Sequence, residues 1–324
     1  MQPKLTLYVE LNRRCNLRCE HCDFWKKDHR MGWSTEKLRW VINEWASIGG
    51  DAVVTCGGEA SLEGEKFWDF HKFAREAGLR SMSVTNGTRV THGNVGRWAT
   101  KGPSEITVSL DHIDPGAHDA QRGAPNWEVA VRALRLLVSH PNRPAVYAMA
   151  IVSEVNYRRL PEMFELVLGR IGADKLKLNM AQPGFGWRDD DQWWPKAWVR
   201  DPDDLVRVIE ACDKTWGIKR NPQWLKDIHM YFESARRLQE DAPRARLLQS
   251  GTIRPICAAG ERTVWISTKG NARRCPSAMF PGKAIVKPGD LAKFMNEVGT
   301  EGMDTCTKLC GISHSVRRTT STVA

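Results

Sequence analysis

The chain has 324 residues, a formal net charge of +10 and nine cysteines, and these numbers exclude several classes of protein. Its length suits one large α/β domain, or one domain with a smaller appendage, and allows a core that needs no disulfide bonds. With 41% hydrophobic and 27% charged residues, its composition argues against disorder and fibrous structure. The sequence has no apolar stretch of membrane-spanning length and no signal peptide. We therefore expect a cytoplasmic protein without a membrane partner, whose cysteines bind metal rather than form disulfides.

From residue 4 to residue 183 the chain alternates short strand patterns with amphipathic helical patterns. Strands are predicted at 4–11, 51–56, 80–86, 105–110, 145–152 and 174–180. The main helix candidates begin near Ser34, Gly64, Asn126 and Tyr157. Because the strand patterns are apolar through their length, they predict a parallel sheet covered by helices. Six βα units predict an α/β fold built on a partial (β/α)6 TIM-type barrel that is open on one side.

After residue 183 this alternation stops, and two further sections follow the predicted barrel domain at 1–183. Residues 184–250 are rich in tryptophan and contain two helical patterns, and we interpret them as a linker that lines part of a substrate cleft. Residues 251–324 contain a predicted hairpin around 263–275 and form a small C-terminal domain. They carry 11 Lys and Arg against 5 Asp and Glu, a net charge of +6. This excess indicates solubility first, and an anionic partner or substrate second.

A C-x3-C-x2-C run formed by Cys15, Cys19 and Cys22 comes directly after the first predicted strand. Three thiolates on one tight loop can bind three irons of a [4Fe–4S] cubane, which leaves the fourth iron without a protein ligand. Such an open metal position can bind and activate a small molecule. The alternative is a structural zinc loop completed by His21 or His29, although zinc sites usually contain C-x2-C pairs.

The cysteine run resembles the signature of the radical S-adenosylmethionine (SAM) enzymes, and motifs at later strand ends agree with it. These motifs are Cys56-Gly57-Gly58-Glu59, similar to the family's GGE, Thr85-Asn86-Gly87, similar to its TNG turn, and Ser109-Leu110-Asp111, similar to its S-x-D pair. The segment from His118 to Gly123 resembles one whose arginine, here Arg122, often contacts the SAM carboxylate. Each motif alone is an ordinary turn or cap signal. Their order at successive strand ends supports the resemblance.

The resemblance implies a chemistry and a set of binding residues. The three cysteines would hold the cluster and SAM would chelate its open iron. An electron from a donor such as flavodoxin or ferredoxin would then cleave SAM to a 5′-deoxyadenosyl radical, which takes a hydrogen atom from the substrate. The implied cofactor-binding residues are His21, Gly57, Gly58, Glu59, Asn86, Ser109, Asp111 and Arg122. His21 departs from the family, which commonly has an aromatic residue at that position.

Four further cysteines lie in the C-terminal section, the number that fully ligates one more iron–sulfur cluster. They are Cys257, Cys275, Cys306 and Cys310. The spacing from Cys257 through Gly270 to Cys275 resembles the start of SPASM and twitch domains. Four cysteines fit the one-cluster twitch form, with a layout similar to the 2-deoxy-scyllo-inosamine dehydrogenase type. The resemblance implies an auxiliary [4Fe–4S] cluster, while the spacing alone also allows a zinc site.

The leading functional hypothesis is a radical SAM oxidoreductase that oxidises or cross-links a peptide or a small polar metabolite. Only 14 residues precede Cys15, which weakens the expectation of a leader-dependent peptide. The base for the departing proton is not assigned, and the candidates are Asp111, Asp119 and the run 189–191. The alternative is a zinc-stabilised nucleic-acid-binding protein, suggested by the charge and the cysteines. That alternative does not explain why the motifs follow successive strands.

Overall fold

The computed structural model describes residues 5–26, 31–181, 193–240, 263–275 and 282–297. Within these ranges, nine strands form one sheet in the order β6-β5-β4-β3-β2-β1-β7-β8-β9. The strands are β1 (Thr6–Asn12), β2 (Ala52–Gly57), β3 (Arg80–Thr85), β4 (Glu105–Ser109), β5 (Ala145–Val152), β6 (Lys175–Met180), β7 (Thr263–Ile266), β8 (Asn271–Arg273) and β9 (Lys283–Ala284). Strands β1 to β6 run parallel, each beside its neighbour in the chain. The predicted α/β fold with six parallel strands is confirmed.

Helices connect these strands and cover one face of the sheet. They are α1 (Thr35–Ser47), α2 (Glu65–Glu76), α3 (Val95–Lys101), α4 (Pro115–Arg122), α5 (Trp127–Val138), α6 (Leu160–Phe164, continued by a π-helix at Glu165–Arg170), α7 (Trp194–Ala197), α8 (Pro202–Thr215), α9 (Pro222–Glu240) and α10 (Asp290–Glu297). Helix α1 begins where its sequence predicts, because the Ser34 side chain caps the N–H of Lys37. In the described part of the chain, none of the helices is long and apolar enough to cross a membrane.

Strands β3, β5 and β6 alternate between a buried face and a more exposed face, whereas β2 and β4 are buried along most of their length. Burial alternates along all eight residues of β5, and Val84 of β3 is 38% exposed. The buried positions pack under the helices, whereas the others line the inner face of the sheet. On that face Lys177 of β6 reaches across Tyr147 of β5 to bond Glu105 of β4. Because a partial barrel has no opposing strands to fill its interior, these inner positions keep polar groups and solvent contact.

The described part of the C-terminal section extends the sheet beyond β1. Strand β7 pairs in parallel with β1, and β7 and β8 form an antiparallel hairpin, as predicted. The ring of Tyr8 on β1 stacks on the ring of Trp265 on β7, with centroids 4.4 Å apart. Helix α10 contacts α1, where the N–H of Ala292 donates to Oε1 of Glu44 at 2.9 Å. The predicted domain boundaries at residues 183 and 250 stay predictions.

Candidate functional site

The cysteine loop leaves the carboxyl end of β1 and contacts residues that follow two other strands. Cys19 is buried, Cys15 and Cys22 are half-buried, and the three are free of disulfide bonds. Nδ2 of Asn86, which follows β3, lies 4.0 Å from Sγ of Cys15. Nη1 of Arg122, in the helix that follows β4, lies 4.0 Å from Sγ of Cys19. The fold therefore brings together the cysteine run, the TNG turn and the predicted arginine.

The two glycines of the GGE motif support the cysteine loop from one side. The N–H of Gly58 donates to the carbonyl of Asn12 at 3.2 Å, and the N–H of Glu59 donates to that of Arg14 at 2.7 Å. A Cβ atom at Gly57 would lie 1.9 Å from the Asn12 oxygen, and one at Gly58 would lie 2.0 Å from the Arg14 oxygen. Only glycine permits this approach of two backbone segments. The glycines that we expected to contact a ligand thus pack against the loop that carries the cysteines.

The carboxyl end of α4 supports the same loop from the other side. The N–H groups of Arg18 and Glu20 donate to the carbonyls of Arg122 and Gln121, at 3.2 and 2.9 Å. Gly123 ends the helix in the left-handed conformation, with φ of +70°. A Cβ atom there would lie 2.5 Å from the Arg18 oxygen. Backbone hydrogen bonds therefore fix the cysteine loop between the GGE segment on one side and the carboxyl end of α4 on the other.

The carboxylate of Glu59 is buried and bonds within the protein. Its Oε2 accepts from the N–H of Asn86 at 2.8 Å, and its Oε1 accepts from the hydroxyl of Ser61 at 2.6 Å. The hydroxyl of Thr85 donates to both oxygens. Burial raises the pKa of Glu59, and these hydrogen bonds oppose that effect only in part. Glu59 thus joins the GGE loop to the TNG turn, and its suggested contact with SAM stays a prediction.

Asp111 and Arg122 form a buried ion pair at the end of β4. Oδ2 of Asp111 lies 2.6 Å from Nη2 of Arg122, and Oδ1 accepts from the N–H of Ile151 at 2.9 Å. Burial opposes the ionisation of Asp111, but the charge of Arg122, together with His21, His118 and the hydrogen bond from Ile151, outweighs it and holds the pKa of this carboxyl below its usual range. A carboxylate with a lowered pKa is a weak proton acceptor. Asp111 is therefore poorly suited to act as the base.

His118 joins the end of β4 to the start of α5. Its Nδ1 accepts from the N–H of Asp111 at 3.1 Å, so the ring proton is on Nε2, which lies 3.3 Å from Oδ1 of Asn126. Nδ2 of Asn126 in turn donates to the carbonyl of Asn86 at 3.1 Å. Burial lowers the pKa of His118 and keeps its ring neutral. The network fixes the TNG turn relative to the Asp111 backbone, a role that the sequence motifs did not indicate.

Asp119, another candidate base, caps a helix. Its Oδ1 accepts from the N–H groups of Asn126 and Trp127, each at 2.7 Å, at the beginning of α5. Asp119 itself belongs to α4 and satisfies these free N–H groups from outside α5, whose N-cap residue is Asn126. The third candidate, the aspartate run at 189–191, lies outside the described residues. The structure therefore identifies no base.

His21 lies within the cysteine loop and Ser109 at the end of β4, and both are buried. The ring of His21 lies 5.4 Å from the ring of Trp193, centroid to centroid, at an angle of 54°. Ser109 is the last residue of β4 and pairs with Met149 of β5. Sequence reasoning gave no role to Trp193 itself, and the only signal for it was the density of tryptophan in 184–250. The contact between Trp193 and His21 brings the tryptophan-rich section 184–250 against the residue beside Cys22.

The four cysteines predicted to bind an auxiliary cluster are only partly within the described residues. Cys275 is buried and follows β8. Cys257, Cys306 and Cys310 lie outside the described ranges. Their joint site therefore stays a prediction.

Burial keeps the thiols of the loop protonated in the absence of a metal. It raises the pKa of Cys15 to about 11 and that of Cys22 to about 12. Burial also raises the pKa of Cys19, although the charge of Arg122 opposes the effect. Ligation requires thiolates, so binding of a metal cluster must release these protons. In the described ranges no three His, Cys, Asp or Glu side chains converge on a point for one metal ion, but a cubane needs no such point because each thiolate binds a different iron.

Comparison with known proteins identifies the domain that carries this loop. The family model described as "Radical SAM superfamily" matches residues 9–167, from β1 into the π-helix after α6. The chain contains a radical SAM domain. Such domains bind a [4Fe–4S] cluster and SAM, and the cysteine run of this one is the signature from which the family was predicted.

Two curated relatives match the chain over different lengths. Mycofactocin maturase MftC of Mycolicibacterium smegmatis is 30% identical over 279 residues, which are 85% of this chain and 65% of that protein. AdoMet-dependent heme synthase of Nitratidesulfovibrio vulgaris is 28% identical over 131 residues, 40% of this chain and 35% of that protein. The chain thus spans less than two thirds of the length of either relative.

Solved structures share the fold at low sequence identity. SuiB of Streptococcus suis has a TM-score of 0.67 and 13% identity, over 93% of this chain and 67% of that one. The structure of anSMEcpe with bound AdoMet and a peptide has a TM-score of 0.57 and 14% identity, over 85% and 74%. The predicted radical SAM domain with relatives in the SPASM/twitch subgroup is confirmed. The 2-deoxy-scyllo-inosamine dehydrogenase layout stays a prediction, and these comparisons give no support to a nucleic-acid-binding protein.

Proposed function

We propose that the protein is a radical SAM enzyme in which Cys15, Cys19 and Cys22 hold a [4Fe–4S] cluster that binds SAM. The observation that carries the proposal is the position of the cysteine loop at the end of β1, fixed on both sides by backbone hydrogen bonds. The loop also lies inside the residues that match the superfamily. Active sites of barrel enzymes lie at this end of the strands.

The residues around the loop suit such a cluster. Three thiols on one loop provide the protein ligands, and the guanidinium of Arg122 offers a positive charge beside Cys19. When bound, the cluster and SAM supply the one-electron chemistry that produces a 5′-deoxyadenosyl radical. The chain itself holds the loop in place: Asn86 contacts Cys15, and Glu59 fixes the turn that carries Asn86. The surroundings bury Cys19 and half-bury the other two cysteines, which limits the access of water to the thiols.

We propose a peptide as the substrate, with a small polar metabolite as the alternative. MftC is named a maturase, and SuiB has been solved bound to its precursor peptide SuiA. The inner face of the sheet, where Val84 is exposed and Tyr147 is half-buried, offers an extended surface in the same domain as the cysteine loop. An extended chain suits such a surface better than a small molecule, which would need a closed pocket.

We propose that Cys257, Cys275, Cys306 and Cys310 hold an auxiliary [4Fe–4S] cluster that accepts an electron from the substrate. Loss of one hydrogen atom leaves a substrate radical, and loss of one further electron and one proton completes a two-electron oxidation or a cross-link. A closed four-cysteine cluster can accept that electron. Cys275 is buried directly after β8, where the antiparallel β7–β8 hairpin has returned toward the amino end of β1, so this cysteine belongs to the core sheet but lies away from the edge that carries the cysteine loop. A flavodoxin or ferredoxin would supply the electron that starts the reaction.

Iron content tests both cluster assignments. Anaerobically purified protein should be brown and contain about eight irons per chain. Replacing Cys15, Cys19 and Cys22 with alanine should remove about four irons, and replacing Cys275 and Cys257 should remove the other four. The matched control is Cys212→Ala, which removes a buried thiol of α8 and should keep all the iron. Colourless protein with stoichiometric zinc and no iron would refute the enzyme assignment.

A further inference from the structure

The buried ion pair of Asp111 and Arg122 contacts the cysteine loop directly. One terminal nitrogen of Arg122, Nη2, lies 2.6 Å from Asp111, and the other, Nη1, lies 4.0 Å from the sulfur of Cys19. The side chain of Arg122 is 8% exposed and that of Asp111 is 0% exposed. Nε of Arg122 has no hydrogen-bond partner among the described residues. The guanidinium thus faces a carboxylate on one side and a proposed cluster ligand on the other.

The surroundings of Asp111 leave Arg122 as its principal cation. Its second oxygen accepts from the backbone of Ile151, and its own N–H donates to His118, whose ring is neutral. His21 is the other titratable ring near the carboxylate. The positive charge beside Cys19 is therefore largely cancelled by a negative charge one side chain farther away. At low local dielectric constant, both charges act strongly on a neighbouring metal centre.

We propose that Asp111 and Arg122 set the reduction potential of the cluster held by Cys15, Cys19 and Cys22, with Asp111 limiting the effect of the arginine. This inference rests on the proposed function, because it requires a cluster on the loop. Reduction adds one negative charge to the cluster, so a cation close to a ligand sulfur favours the reduced form. A carboxylate that cancels this cation keeps the potential low, as a strong reductant of SAM requires. Both residues act through Cys19 and are positioning residues.

This role differs from the one that the sequence resemblance implies. There, Arg122 contacts the SAM carboxylate and Asp111 helps to bind SAM. A role in SAM binding alone leaves the potential of the SAM-free cluster unchanged. An electrostatic role changes that potential whether or not SAM is bound, so the two roles separate in protein without SAM.

The experiment is a redox titration of the SAM-free, iron-loaded protein, monitored by electron paramagnetic resonance on the signal that Cys15→Ala lacks. Asp111→Asn leaves the arginine uncancelled and should raise the midpoint potential. Arg122→Gln leaves the carboxylate uncancelled and should lower it. Each change should alter the ratio of reduced to oxidised cluster about tenfold at fixed potential, which is about 59 mV. The double variant Asp111→Asn/Arg122→Gln should return to within about threefold of the wild-type ratio.

Two comparisons separate charge from damage to the fold. Asp213→Asn breaks a different buried pair, in which Nε of Arg220 lies 2.6 Å from Asp213, and should leave the midpoint unchanged. Asp111→Glu and Arg122→Lys keep both charges, so they should stay within about threefold of the wild-type ratio. These two charge-conserving variants remain informative if a neutral variant fails to take up iron. A tenfold shift of the reduced-to-oxidised ratio in Asp111→Glu or Arg122→Lys would contradict an effect of charge.

The outcomes distinguish this inference from the proposed function. Opposite shifts in the single variants and recovery in the double variant would support the inference. Iron-loaded variants whose midpoints are unchanged, or shift in the same direction, would overturn it and leave the proposed function intact. A wild-type chain that takes up no iron would instead refute the proposed function.

Discussion

At the scale of single residues, the carboxylates of the sequence motifs bond mainly to the protein itself. Glu59 bonds the backbone of Asn86, 27 residues away in the chain, and Asp111 bonds that of Ile151, 40 residues away. The motifs predicted the positions of these residues at strand ends correctly. They did not predict the partners, because partners so distant in sequence depend on how neighbouring strands are aligned. The structure thus shows that Glu59 and Asp111 connect neighbouring strands by hydrogen bonds, a role that the sequence motifs did not predict.

Gly58 offers a test of how tightly the cysteine loop is held. Gly58→Ala would place a Cβ atom 2.0 Å from the backbone oxygen of Arg14. Because this oxygen belongs to the backbone, it cannot move aside as the end of a flexible side chain could. We expect a loss of stability of about 1–3 kcal/mol and displacement of the loop that binds iron. Iron per chain after anaerobic purification, together with the thermal unfolding midpoint, measures both effects.

Gly93→Ala is the matched control for this substitution. A Cβ atom at Gly93 would meet only the Thr91 hydroxyl, at 4.0 Å, so this variant should behave like the wild type. If Gly58→Ala keeps full iron content and an unchanged unfolding midpoint, the contact with Arg14 does not position the loop.

At the scale of elements, the repeating strand and helix patterns predicted most of the barrel. All six parallel strands lie within two residues of their predicted bounds, because their apolar runs and turn signals are local features. Helix α4 was read only as a motif, and α10 falls in the C-terminal section, where only a hairpin was predicted. Both have only eight residues, too few for a clear helical periodicity. Helices this short form mainly because tertiary packing stabilises them.

Helix α2 carries a histidine in its buried face, and the sequence pattern alone does not show how it is accommodated. His71 is fully buried, its ring lies against those of Phe67 and Phe70, and neither ring nitrogen has a hydrogen-bond partner among the described residues. Burial lowers the pKa of His71 to about 3. A buried polar group without a partner destabilises the folded state by about 1–3 kcal/mol. The ring therefore costs stability, and more so in acid.

His71→Leu should raise the free energy of unfolding by about 1–2 kcal/mol at pH 7.5. Because the pKa is lower in the folded state, the unfolded chain binds the extra proton, and the wild type loses stability as the pH falls below about 6.5. At pH 5.5 this loss is about 1.4 kcal/mol, and the leucine variant lacks it. Denaturant unfolding at the two pH values measures the difference.

His92→Leu is the control for the pH dependence, since His92 is exposed. The gain in relative stability between pH 7.5 and pH 5.5 should be larger for His71→Leu than for this exposed-site variant. A His71→Leu variant that is less stable than the wild type, or whose advantage does not grow in acid, would show that His71 has a bonding partner or a charged state in the folded protein.

At the scale of the whole molecule, the order of motifs along the chain predicted the site because the fold is a parallel sheet. Parallel strands bring their carboxyl ends to one edge, so the residues after β1, β2, β3 and β4 meet there whatever their distance in sequence. The pairing of β7 with β1 joins residues more than 250 positions apart, and no local pattern encodes it. The partial exposure of the inner face of the sheet depends on the barrel being open, which no local sequence pattern encodes either.

The formation of 5′-deoxyadenosine from SAM tests the central claim most directly. Anaerobic protein given SAM and a strong one-electron reductant should release 5′-deoxyadenosine and methionine, Cys15→Ala should release none, and Cys212→Ala should match the wild type. Chromatography with mass detection measures all three. Iron-loaded wild-type protein that does not cleave SAM, or a Cys15→Ala variant that cleaves it as fast as the wild type, would contradict the account.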